Sequence, residues 1–465
     1  MVSGHATPVG SARAGAPRAL AAGLDCLAAG RGCRACPSVS FERSRRRSGR
    51  AVACDAPASC SRFAASGPAL GNLHRSARRP QNHGLDRSGP RQKIVRVALE
   101  KKEKTRMDQQ AQRHALAPGD GCVPLYCGDP TAELQAAHEG AVLADLSSRG
   151  KVRLGGRDAV SFLHNMCTQD IRAMRDYEAR EAFLTTSQGR IVARTQVFKY
   201  PDALWLDLDP GLGAKVAAHL ERFHVTEEVT ICDESAAYAL LVVAGPQAQH
   251  VLQRWHPELV HSLASRDCCL SSLPGLADTV LQARRMRDWV VPAIQLVVPV
   301  EYGAALQQAL IHVGVCPIGW ATVETLRIAA GTPRSGTDMD DSNFPQEMQR
   351  DNQALSFTKG CYLGQETIAR IRTYGHVNRY LVGLRAEPTA WLDSYRAAQE
   401  LVGATLMSQG TEVGRVTSAA YCYLRSRAIG LGSVRRGYHE PGRELVAACQ
   451  RGTVALVVCT WPLPS

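Results

Sequence analysis

The chain has 465 residues, enough for two or three domains with a sizeable core. Its formal charge of +12 invites a nucleic-acid reading, but residues 1–106 hold 21 Lys+Arg against 6 Asp+Glu, a balance of +15 that leaves −3 for the other 359 residues. A basic leader without interleaved aromatics is a poor nucleic-acid surface, so no direct nucleic-acid partner is expected.

The leader is rich in Arg, Ala, Ser, Gly and Pro and lacks apolar periodicity, so it is expected to be disordered. Two readings fit it. One is an organelle transit peptide, giving a mitochondrial or plastid protein. The other, favoured on length, is a start at Met107, giving a cytoplasmic protein if the source is bacterial. No apolar run approaches the roughly 20 residues of a membrane span, so no membrane partner is expected. Five of the sixteen cysteines fall in the leader, where Cys33 and Cys36 form a lone C-x-x-C without a second pair. The others are scattered, so no metal site is expected and a reducing compartment suits them best.

From about residue 116 the pattern becomes globular. Helical spacing covers 132–141, a strand begins over 142–146, and 151–154 alternates as a strand turned by Gly155-Gly156. Asp158 can cap a helix over 159–164, and 182–191 reads as a hairpin turning at Gln188-Gly189. Strands follow at 204–208, 229–231 and 238–243, with helices at 212–224, 247–255, 304–313 and 319–330. In the last helix Glu324 and Arg327 can pair at i, i+3, and the pattern alone favours a solvated face for them. Asp338, Asp340 and Asp341 lack the glycine and closing Glu of a calcium loop.

Lys359-Gly360-Cys361-Tyr362-Leu363-Gly364-Gln365-Glu366 concentrates a thiol, a cation, an amide and a carboxylate in one loop. Burying so many polar groups unpaired would be costly, so this is the candidate site. A helix over 367–374, closed by Gly375, follows it. Gly360 and Gly364 allow tight turns on either side of Cys361. Lys359 and the helix N-terminus both favour a thiolate there. Beyond it, short strands at 379–384, 403–406, 412–418, 428–432 and 444–446, with a linker or short helix over 391–401, point to a small antiparallel barrel.

K-G-C-Y-x-G-Q-E resembles the signature of the YgfZ family, relatives of the glycine-cleavage T-protein that act in iron–sulfur protein maturation. The run L-x-G-x-D-x-x-x-F-L from Leu154, T-x-D at 168–170, the segment 184–191, G-x-V-T-S from Gly414 and A-x-G-x-G from Ala428 also resemble the T-protein pattern. The resemblance implies an α+β fold of T-protein-like (GcvT) folate-binding type, with helices on antiparallel sheets over 116–375. A small C-terminal antiparallel barrel over 376–465 completes it. It implies tetrahydrofolate or a derivative as cofactor, with Asp170 beside its reactive nitrogens and Arg327 and Glu347 bordering its cavity. Gln365, Glu366 and Tyr362 would contribute to the same site, and Cys361, Lys359 and Asp170 would carry the chemistry. Partners would be iron–sulfur client enzymes or assembly factors, with transient cluster contact. One departure stands out: the Y-T-G-E element of aminomethyl-transferring T-proteins, whose Glu binds the pterin, is replaced by Arg287-Asp288-Trp289-Val290. That speaks against glycine-cleavage chemistry. Open alternatives are a tetrahydrofolate-dependent aminomethyltransferase and a non-catalytic folate-binding docking module.

Overall fold

The computed structural model describes residues 123–463. The leader expected over 1–106 lies outside them. Helix α1 (Pro130–Glu139) starts on Asp129, whose carboxylate accepts from the Ala132 N–H at 2.9 Å, with proline at the first helical position. Strands β1 (Val142–Asp145) and β2 (Gly150–Gly155) precede helix α2 (Ala159–Met166). Strands β3 (Ala179–Thr185), β4 (Ile191–Lys199) and β5 (Ala203–Leu208) then run as a meander to helix α3 (Gly213–Glu221) and β6 (Thr230–Asp233). These strands form an antiparallel sheet in the order β3-β4-β5-β2-β6. Phe162 and Leu163 of α2 and Val216 and Leu220 of α3 pack on its apolar face with Val152, Leu154 and Leu206.

The second sheet interleaves with the first in sequence. Strand β7 (Tyr238–Ala244) is followed by helices α4 (Ala248–Trp255) and α5 (Pro257–Leu263), strands β8 (Cys268–Leu273), β9 (Leu276–Met286) and β10 (Ala293–Pro299), helix α6 (Val300–His312) and the short β11 (Cys316–Pro317). Its order is β11-β1-β7-β10-β9-β8, antiparallel except for the β1–β11 pair. Leu252, Leu259, Leu306 and Leu310 from α4–α6 cover one face. Helix α7 (Trp320–Ala329) then fills the middle of the molecule: all ten of its residues are buried. Its apolar side chains join Tyr126, Trp289, Ala420, Leu431 and Leu463 in one cluster, so it touches material from both ends of the described chain. A helix buried all round is a core element and not a surface one.

After α7 come a 3-10 turn (Pro345–Met348), the one-turn helix α8 (Asp351–Ala354) and helix α9 (Gln365–Tyr374). Strand β12 (Arg379–Ala386), helix α10 (Tyr395–Gln399) and strands β13 (Thr405–Ser408), β14 (Thr411–Cys422), β15 (Arg427–Arg435), β16 (Glu444–Cys449) and β17 (Gly452–Cys459) follow, the strands closing as a six-stranded barrel. Closure leaves this sheet without an exposed edge. Strand β17 has no counterpart in the sequence reading, although buried and solvent-facing positions largely alternate along it.

Three local expectations change. Asp158 precedes α2 but its side chain makes no cap; it accepts instead from the Glu228 N–H at 2.9 Å and ties α2 to the approach of β6. Gly375 ends α9 in extended backbone, so its lack of a side chain is not what stops the helix. Of the two loop glycines only Gly364 is needed. It sits at φ +85°, where an added Cβ would lie 2.5 Å from the Thr186 carbonyl oxygen and 2.8 Å from the Gly189 Cα, whereas one at Gly360 would meet nothing within 4 Å. Gly364→Ala should therefore cost about 2 kcal/mol in urea unfolding, from backbone strain plus the clash, and Gly360→Ala less than about 0.5 kcal/mol. Equal losses would remove the assigned role of the Gly364–Gly189 contact. Among the described residues no helix is long and apolar enough to cross a membrane.

Candidate functional site

The site is built around Arg327. Its spacing from Glu324 puts both on one side of α7, but that side faces inward, so the solvated-face expectation fails: Glu324 is 3% and Arg327 7% exposed. A charge at that depth needs partners, and Arg327 has them on every side. It donates to both Glu324 carboxylate oxygens (2.9 and 2.8 Å), to Asp338 Oδ2 (2.8 Å), to the Thr332 carbonyl (2.7 Å) and to Ser418 Oγ of β14 (2.9 Å). Asp338 also accepts from Thr417 and Ser418, both at 2.6 Å, which locks the barrel to α7.

On one side of this pair is a small chamber. Trp289, Trp320, Met286 and Leu146 supply its apolar walls, and Arg149, Asp288, Glu324 and Arg327 its charges. Its volume is about 30 Å³. The space is taken up by a buried ion cluster. Asp288 pairs with Arg194 and stands 3.6 Å from Arg149; Arg149 reaches Asp207 at 2.8 Å and Asp209 at 3.6 Å; Arg194 also holds Glu181 at 2.9 Å, to whose two oxygens Arg350 donates from Nε and Nη2. Burial works against the charge on Asp288, but Arg194 and Arg149 outweigh it and hold the carboxyl well below the usual range. Glu181, beside Arg194 and Arg350, and Glu324, beside Arg327 and Arg334, are also held down against their burial. The sequence reading missed Arg149, Arg194 and Asp288. The available signal was a charge inside a strand-forming run, as in Val192-Ala193-Arg194-Thr195-Gln196-Val197.

On the other side of the Arg327–Asp338 pair lies a cavity of about 520 Å³. Asp338 and Glu347 form part of its wall, Thr367 and Ile371 of α9 another part, and Arg190, Arg379, Arg415 and His376 its rim. Arg190 stacks on the Phe344 ring, 3.8 Å from its centroid, and donates to the Ser342 carbonyl. Glu347 accepts from Asn343 Nδ2 at 2.7 Å, and burial pushes its carboxyl up.

The cysteine loop is held from both ends. Lys359 is 7% exposed, and its ammonium donates to the carbonyls of His164, Cys167 (2.9 Å) and Gln169 (2.8 Å) at the end of α2. Those three bonds engage all its protons, so Lys359 anchors the loop and is not the cation expected to activate Cys361. Burial pushes the Lys359 ammonium down, with Cys167 and Asp170 opposing. Tyr362 lies buried with the Lys359 ammonium 4.8 Å from its ring centroid. Thr185 Oγ1 donates to the Leu363 carbonyl at 2.7 Å, and the Leu363 N–H to the Asn165 carbonyl at 2.9 Å. Between these fixed points Cys361 is exposed.

Residues 128–275 match the GCVT N-terminal domain, and residues 379–463 match the glycine cleavage T-protein C-terminal barrel domain. The chain belongs to the T-protein-like family. A relative in Arabidopsis thaliana, named as a putative chloroplastic transferase, is 26% identical over 319 residues, covering 68% of this chain and 70% of its own. The aminomethyltransferase of Thermosynechococcus vestitus is 24% identical over 353 residues, covering 74% and 90%. The crystal structure of the glycine cleavage system aminomethyltransferase T from Bartonella henselae superposes with a TM-score of 0.62 at 20% identity, over 77% of this chain and 96% of that one, and shares its fold.

Within this T-protein-like fold the expected site residues separate into three places. Arg327 borders the small chamber and Glu347 the large cavity, with Asp338 between them. Asp170 lines neither; it stands 3.3 Å from His164 Nδ1, beneath the cysteine loop. Gln365 and Glu366 open α9, with Glu366 turned outward onto Arg370 at 2.8 Å. Among the described residues no group of His, Cys, Asp and Glu could hold a metal ion.

Two measurements check these assignments. Arg327→Met leaves Glu324 and Asp338 buried and short of a counter-charge, and should lower unfolding free energy by about 3–5 kcal/mol. Asp288, Glu181 and Glu324 titrate lower in the folded chain than unfolded, so the unfolded state binds more protons as pH falls. Their contribution is complete above the ordinary carboxylate range, about pH 4, and is lost progressively below it. Unfolding midpoints should fall steeply from about pH 4 downward; a flat profile there would contradict the cluster.

Proposed function

We propose that the chain is a folate-binding accessory protein of the YgfZ type, serving iron–sulfur cluster assembly or repair and thereby radical iron–sulfur and tRNA-modifying enzymes. The observation that carries this reading is the display of Cys361. A loop stapled by Lys359 at one end and by Gly364 at the other keeps a thiol at the surface without burying it in the core. A rigidly presented thiol suits contact with a partner's cluster, a transferable group or a mixed disulfide. Folate enters from the family, and the fold offers it a cavity within the size range of small-molecule sites. Clients would be iron–sulfur enzymes or assembly factors. Read as a transit peptide, the leader takes the protein to an organelle; the Arabidopsis relative is named as chloroplastic. Read from Met107, the chain would be cytoplasmic if its source is bacterial.

The names of the relatives favour a second reading, a tetrahydrofolate-dependent aminomethyltransferase. Production of methylene-tetrahydrofolate from a lipoyl-bound aminomethyl group would establish it. The primary test is methylthio-tRNA formation in a YgfZ-deficient bacterium supplied with this protein from Met107, wild type or Cys361→Ser, at matched expression. Wild type should restore the modification, and the serine variant should fold normally yet restore less than about a tenth of it. Equal restoration by both would keep the pathway, discard the thiol and favour a docking module.

A further inference from the structure

A partner that brings a cluster or a thiol to Cys361 must also cover the surface beside it. Over 357–361 Lys359 turns inward, while Phe357, Thr358, Gly360 and Cys361 are exposed. The chain then enters α9, where only Ile368 of the ten residues is buried. Glu366, Ala369, Arg370 and Thr373 form an outward stripe at helical spacing, and Tyr374 beside it is 89% exposed. Arg372 joins the two segments into one face. Its guanidinium carbon lies 3.7 Å from the centroid of the Phe357 ring, so the cysteine loop folds back along the helix.

The charges on this face are of mostly one sign. From 356 to 376 the formal charges are Lys359, Arg370 and Arg372 against Glu366 alone. Asp351 is the acid in the field of Arg372; burial pushes its carboxyl up, and Arg372 opposes that. Stacking on Phe357 holds the guanidinium of Arg372 in place with an N–H edge left for a carboxylate. Arg370 is 2.8 Å from Glu366, but both side chains are exposed, and a pair of that kind yields readily to a competing carboxylate. A polyphosphate strand would meet Glu366 within the stripe, whereas a folded protein can set a donor opposite that one acid.

We propose that the 357–361 segment and the outward face of α9 dock an acidic protein surface, the one that brings its cluster or thiol to Cys361. Carboxylates of the partner meet Arg370 and Arg372, and its apolar groups cover Phe357 and Tyr374. The proposal rests on the reading of Cys361 given above. Disulfide exchange at Cys361 tests it, with short peptides holding one cysteine between glutamates, between lysines or between glycines as probes. Each is supplied as its mixed disulfide with thionitrobenzoate. The Cys361 thiolate attacks the peptide sulfur, a Cys361–peptide disulfide forms, and the bond to thionitrobenzoate breaks, releasing that thiolate, which is read by its absorbance. Subtracting the rate of Cys361→Ser isolates this thiol.

Wild type should take the glutamate peptide about tenfold faster than the lysine peptide, with the gap closing as salt is raised. Arg370→Gln/Arg372→Gln, its fold checked by thermal unfolding, should lose most of that preference and keep the glycine rate. Equal rates for the two charged peptides, or an unchanged preference in the double variant, would overturn the acidic partner. In the methylthio-tRNA assay Arg370→Glu/Arg372→Glu, at matched expression, should restore less than about a fifth of the wild-type level. Full restoration by it, with Cys361→Ser still failing, would overturn the docking face and leave the thiol reading standing. Restoration by Cys361→Ser would remove both. Salt-sensitive binding of labelled transfer RNA, lost in the glutamine variant, would give the face to nucleic acid and overturn the proposal.

Discussion

A buried guanidinium has to be surrounded or it cannot stay, and Arg327 is surrounded by parts of the chain far apart in sequence. Glu324 comes from its own helix, the Thr332 carbonyl and Asp338 from the segment after it, and Ser418 from the barrel. The cost of desolvating that charge makes the contacts mutually obligatory: the barrel cannot shift against α7 without exposing an unpaired ion. The remaining architecture is arranged around this joint. Each sheet has its own apolar core, and the shared cluster around α7 lies where they meet. One pair, Arg327 with Asp338, then serves as the partition between two spaces of unlike size and polarity.

The same electrostatics explains why the two spaces differ. In the chamber every charge has an opposite within reach, so the charges fill the volume and hold each other in place. At the cavity rim Arg190, Arg379 and Arg415 outnumber the acids of the wall, Glu347 and the Asp338 already held by Arg327. A relative of the same fold could tip the balance by changing very few residues, because removing one arginine from the chamber frees both a carboxylate and the space beside it. Arg194 is the member with most at stake, since it joins Glu181 and Asp288 across two segments of the chain.

Much of the fold was legible in the sequence because it is written in short-range signals. The alternation in Lys151-Val152-Arg153-Leu154, the Gln188-Gly189 turn and the glycine-punctuated barrel strands are local facts, and the structure has strands and turns where they fall. The T-protein-like fold followed from residue patterns spread along the chain. What was not legible depends on depth. Glu324 and Arg327 read as a surface pair because i, i+3 spacing says which side of a helix they share and not what that side faces. Lys359 read as an activator because it neighbours Cys361 in sequence, whereas its ammonium points to carbonyls nearly two hundred residues earlier. The Arg149–Asp288–Arg194 cluster was missed for the same reason: its members are separated by up to 139 positions, and pairing across that distance leaves no periodicity to find.

Helix α9 joins two features described separately. Its first residues follow directly from the cysteine loop, and Thr367 and Ile371 in its first two turns line the large cavity. Ten helical residues make a rod of about 15 Å, too short to bend appreciably. The loop that displays the thiol and the wall of the cavity are therefore joined by one short rigid helix, whose first residue follows the close Gly364–Gly189 approach.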